Sequence, residues 1–108
     1  MNNINFEALS QEILATQEEI LKRKFFINFD YNGNCLGNIT SNGNTLSYVV
    51  FRNQGSQDLL LDLELDLKEK KVLSSKRRHQ KGENFYRMQL SYEEAVEILF
   101  NLYEAHSK

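Results

Sequence analysis

The chain has no proline, no tryptophan and a single cysteine, Cys35. Without proline, the ends of helices and strands must be set by glycine, asparagine and charge. One cysteine cannot close an internal disulfide, which suits a reducing compartment. The five glycines form no phosphate-cradling loop; two of them follow asparagine and read as turns. No apolar run approaches the length that spans a bilayer, and the opening Met1-Asn2-Asn3-Ile4-Asn5 is neither basic nor apolar, so a cytoplasmic protein without membrane contact is expected. In that compartment the sequon Asn38-Ile39-Thr40 is a strand start rather than a glycan site. His79, His106 and Cys35 show neither metal-ligand spacing nor a local nucleophile and base, so the sequence implies no metal, no cofactor and no catalytic residue.

What is present is the composition of an ordinary globular domain. Hydrophobic residues make up 41% of the 108 and charged residues 26%, which excludes general disorder and predicts one α+β domain over residues 1–108 with its own core. Abundant asparagine with absent proline suggests an AT-rich bacterial or phage genome.

From Phe6 to Lys24, the apolar residues Phe6, Leu9, Ile13, Leu14, Ile20 and Leu21 recur at helical spacing, with Glu7, Glu12, Glu18 and Glu19 on the remaining face. Basic residues Lys22, Arg23 and Lys24 complement the end of that helix. Strand alternation follows in Phe25, Ile27, Phe29 and Tyr31, stopped by Asn32-Gly33, a dipeptide suited to a type I′ hairpin. A second pair, Asn42-Gly43, leads into Leu46 to Phe51, and the polar run Asn53 to Gln57 closes this meander. The strongest alternation is Leu59, Leu61, Leu63, Leu65 and Leu67, five leucines expected on one buried face with charges between them. Weaker strands are expected at Val72-Leu73 and from Phe85 to Leu90. Ser74 to Gly82, lacking apolar anchors, reads as an exposed mobile loop.

Ser91 and Glu94 have the spacing of a capping box, predicting a helix from Tyr92 to about Ala105. The expected fold is therefore an N-terminal helix, an antiparallel meander of four to six strands and a C-terminal helix. The last helix carries more apolar residues than one sheet face needs. A homodimer with Phe100, Leu102 and Tyr103 in the contact would account for the excess.

Charge is segregated. Residues 68–81 hold seven basic residues against the single acid Glu69, a net of +6, which leaves −8 on the rest of a chain whose total is −2. Lys76, Arg77, Arg78, His79 and Lys81 are the candidate binding residues, with Phe85 and Tyr86 placed to stack on bases. A solvated turn that keeps a sheet edge soluble is the alternative. The order of basic loop, strand and capped acidic helix over Lys76 to Ala105 is similar to the end of the transcriptional-coactivator type of single-strand-binding domain, a resemblance that implies single-stranded nucleic-acid binding. The helix, strands, helix order is also similar to double-stranded-RNA-binding domains, but Glu93-Glu94 stands where those carry lysines. Asp66-Leu67-Lys68 resembles the acid-x-Lys element of the restriction-endonuclease-like fold, with Glu64 or Asp58 as a second carboxylate, which would imply metal-assisted phosphodiester hydrolysis.

With a sheet, an apolar surplus and no reaction centre, the function expected is a small non-catalytic protein-binding module of inhibitor, immunity or adaptor type. Nucleic-acid binding through residues 76–81 is the first alternative and a metal-dependent nuclease the second.

Overall fold

The computed structural model describes residues 6–31, 35–51, 59–78 and 84–107. The elements are α1 (Phe6–Leu21), β1 (Lys24–Tyr31), β2 (Cys35–Asn42), β3 (Thr45–Phe51), β4 (Leu59–Asp66), β5 (Lys71–Arg78), β6 (Phe85–Arg87) and α2 (Tyr92–His106). The strands form one antiparallel sheet in chain order, from β1 at one edge to β6 at the other. This is the expected α+β architecture with the full six strands. The Asn32-Gly33 turn and the Asn53–Gln57 loop lie outside the described residues.

The core lies on one face of the sheet. Ile39, Leu46, Leu63, Leu65 and Leu67 are fully or almost fully buried there with Leu21 of α1 and Ala95, Val96 and Leu99 of α2. Burying each such leucine or isoleucine is worth about 1.5–3 kcal/mol, so this layer carries most of the hydrophobic stabilisation. Helix α1 stops at Leu21, three residues short of the expected Lys24, because Lys24 already pairs with Asn42 as the first residue of β1. Ser41 Oγ donates to the Leu21 carbonyl at 2.8 Å and fastens the helix end to β2. At the next turn, Asn42 Oδ1 accepts from the amides of Asn44 and Thr45 at 2.9 and 2.7 Å, and Gly43 takes φ +96°, as glycine does at the first position of a type II′ turn.

Two expectations need correction. The five leucines of the β4 region do not share one face. Leu63, Leu65 and Leu67 are buried, but a register shift opposite Val50 and Phe51 puts Leu60 into the core and pairs Leu59 with Phe51. A bulge inserts one residue and so reverses the alternation beyond it. The basic stretch is also not a loop from Ser74 onward, because Ser74 to Arg78 continue β5 and pair with β4 on one side and β6 on the other. Backbone pairing on both sides supplies what the side chains lack. Residues 79–83 lie outside the described residues.

Candidate functional site

Every residue of α1 from Glu7 to Ile13 is exposed, and burial begins only at Leu14. The helix packs against α2 rather than broadly on the sheet. The side it turns inward includes Leu14, Leu21 and Glu18, whereas Leu9 and Ile13 are 46% and 51% exposed. Glu18, expected on the solvated face, is only 5% exposed, which corrects that reading.

Two distant elements hold Glu18. Tyr92, the first residue of α2, donates its hydroxyl to Glu18 Oε2 at 2.7 Å, and Lys70 Nζ lies 3.8 Å from Oε1. Burial, and next the hydrogen bond to Glu18, push the Tyr92 hydroxyl far above its ordinary titration range, so it stays a donor at any physiological pH. Lys70 ends the β4–β5 turn with φ 57°, the one non-glycine with positive φ among the described residues. Its side chain is 61% exposed, so the ion pair contributes little on its own. No local sequence signal links positions 18, 70 and 92.

Between α1, the start of α2 and Lys70 lies an open cleft of about 790 Å³. Ile13, Leu14 and Ala15 give it an apolar wall, and Glu7, Glu18, Glu93 and Glu97 line it with carboxyl groups against the single cation Lys70. The excess of acids suits a cationic ligand surface, and the adjacent Leu9 and Ile13 offer it apolar contact.

The basic candidates occupy a different place. Lys76 and Arg77 are exposed and Arg78 is half-buried on β5, with register partners Arg87, Tyr86 and Phe85 on β6. The Arg78 guanidinium sits over the Phe85 ring, 4.3 Å from its centroid. Because successive strand residues alternate faces, Lys76 and Arg78 share one face with Phe85 and Arg87, while Arg77 and Tyr86 belong to the other. The sequence groups Lys76, Arg77, Arg78, Phe85 and Tyr86 in one cluster, and the pleat divides them. Lys76 is also opposite Asp62, whose Oδ2 accepts from Ser74 Oγ at 3.1 Å. Tyr86 is 39% exposed. His79 and Lys81 fall outside the described residues. A smaller hollow of about 260 Å³ lies between β5 and residues 87–90, where Ser75 Oγ donates to the Met88 carbonyl at 2.7 Å.

The nuclease-like triplet is not aligned on one strand face. β4 ends at Asp66, and Lys68 lies in the turn that follows. Asp66 Oδ1 accepts from the amides of Lys68 and Glu69 at 3.0 and 2.9 Å, so this carboxyl shapes the turn. Glu64 is opposite Ser74, and Asp58 is not among the described residues. No group of three His, Cys, Asp or Glu able to hold a metal occurs among the described residues.

Phe100, Leu102 and Tyr103 are half-buried and pack against the core, with the Tyr103 ring centroid 4.9 Å from that of Phe25 in β1. The apolar surplus of α2 is thus largely used within the chain. No helix among the described residues is long and apolar enough to cross a membrane. Comparison with known proteins found no matching family, no matching curated protein and no matching solved structure.

Proposed function

We propose that this chain is a small non-catalytic cytoplasmic protein-binding module that acts as a homodimer and grips a basic, partly apolar surface of its partner with α1 and the cleft beside it. The observation that carries the reading is the first half of α1, which stands clear of the core and leaves the apolar Leu9 and Ile13 half exposed beside the acidic cleft. A helix serving only its own core would bury those residues. Exposed apolar residues flanked by carboxyl groups supply both contact area and charge selection for a protein partner.

The second reading, nucleic-acid binding, is favoured by the stack of Arg78 on Phe85 with Lys76 and Arg87 beside it. One experiment separates the two. The parent chain, Ile13→Lys and the double variant Lys76→Ala/Arg87→Ala are used as bait in host lysate, with protein and nucleic acid both assayed at two salt concentrations. The first reading expects a protein recovered by the parent and the double variant and lost with Ile13→Lys. Recovery of nucleic acid that falls steeply with salt and disappears in the double variant would put the second reading in its place.

A further inference from the structure

The two edges of the sheet are unlike. β6 exposes three residues, Phe85–Arg87, next to Lys76, Arg77 and Arg78, a short and charged edge of the kind that resists strand addition. β1 exposes eight, Lys24–Tyr31, and between Lys24 and Asp30 it has no charge at all. Phe26, in the middle of this stretch, is 64% exposed, and β2 is the only strand paired with β1 among the described residues. A long, uncharged aromatic edge without proline or a bulge against its neighbour is a template for another strand.

The sequence of β1 indicates which strand fits. When the strand is laid antiparallel against itself about Ile27, Lys24 falls opposite Asp30 of the second copy, Phe25 opposite Phe29, Phe26 opposite Asn28, and Ile27 opposite itself. Both ends then pair opposite charges and the Phe25–Phe29 and Ile27–Ile27 pairs are apolar, combinations that stabilise antiparallel neighbours, while Phe26 meets Asn28. A shift one way puts Phe25 opposite Asp30 and loses the charge pairing, and a shift the other way puts Lys24 opposite Phe29 and leaves Asp30 to Arg23, which precedes β1. We infer that two copies join through β1 in this register, about a twofold axis at Ile27, extending the six-stranded sheet of each into one continuous sheet. The inference rests on the homodimer proposed above and names its interface, which differs from the Phe100, Leu102 and Tyr103 contact expected from sequence.

The test is a charge exchange read by light scattering and sedimentation across a dilution series up to about 100 μM. The parent should be a dimer. Asp30→Lys, which puts two lysines opposite each other at both ends, should raise the dissociation constant about tenfold or more, and Lys24→Asp/Asp30→Lys should return it to near the parent value. Amide exchange in β1 of the parent should speed up on dilution, while β3 and β4 stay protected. A monomeric parent at 100 μM would overturn the dimer and this interface together. A dimeric parent that Asp30→Lys leaves unchanged, with no concentration dependence of exchange in β1, would overturn the interface and leave the dimer standing.

Discussion

The two helices contribute to the molecule in opposite ways. α2 begins with a complete cap, since Ser91 Oγ accepts from the Glu94 amide at 3.1 Å and Glu94 Oε1 accepts from the Ser91 amide at 3.0 Å. It then buries Tyr92, Ala95, Val96 and Leu99, so cap, periodicity and burial all agree. α1 is fixed at its end, through Leu21 and the Ser41 hydrogen bond, and turns Leu9 and Ile13 outward along the first part of its length. The difference teaches that an apolar stripe determines that a helix forms, whereas the neighbours it meets determine how much of it is buried. On this view α2 is structural, and α1 is the surface proposed to meet a partner.

The sharpest way to break that contrast is to place the same charge on each helix. Leu99→Asp puts an unpaired carboxyl where the side chain is fully buried and should unfold the domain, a loss above about 4 kcal/mol. Ile13→Asp should change stability by less than about 1 kcal/mol, because half of that side chain is already in water. Thermal melting followed by circular dichroism reads both. Similar losses from the two would mean that α1 is as much a part of the core as α2.

An intermediate effect is expected where the helices meet. Glu18→Leu removes the acceptor of the buried Tyr92 hydroxyl and should cost about 1–3 kcal/mol in chemical denaturation. Adding Tyr92→Phe should recover most of the loss, since removing both partners leaves no orphaned polar group. Lys70→Ala should matter less than either, its ion pair being long and exposed. If Glu18→Leu stabilises the protein with Tyr92 intact, the contact between the helices is a burden rather than a tie.

How much of this the sequence disclosed depends on how local the cause is. The Ser91 and Glu94 cap, the Gly43 turn and the alternation through Leu63 to Leu67 are each fixed by residues within a few positions, and each was legible. Lys76 to Arg78 read as a loop because their strand is held by β4 and β6, and nothing in their side chains announces that pairing. The bulge that sends Leu60 inward depends on the register against Val50 and Phe51, which no single strand encodes. Glu18 looked like a solvated helix residue because its donor is 74 positions away. The acidic cleft was missed for the same reason, as its lining comes from α1, Lys70 and α2. The charge asymmetry of residues 68–81 was plain in the sequence, but its division between two faces of β5 needed the pleat.

The smallest effect tests whether the cap sets α2 apart in solution. Hydrogen bonding from the Ser91 amide, and next from the Ser91 side chain, holds the Glu94 carboxyl below its ordinary value of 4.5. A carboxyl whose folded value is depressed contributes stability that is fully present above its unfolded value and is lost as pH falls through the folded one. The cap should therefore be intact at pH 7 and weaken only below about pH 4.5, on the acid side of the ordinary carboxyl range. Ser91→Ala should cost about 1 kcal/mol at neutral pH and shift the Glu94 titration upward. Carboxyl titration by NMR decides the matter when Glu94 in the parent is compared with Glu94 in Ser91→Ala. A lower titration of Glu94 in the parent than in Ser91→Ala confirms a working capping box. Equal titration of Glu94 in the two proteins would show that the cap is not formed in solution, and the difference between the helices would then lie in burial alone.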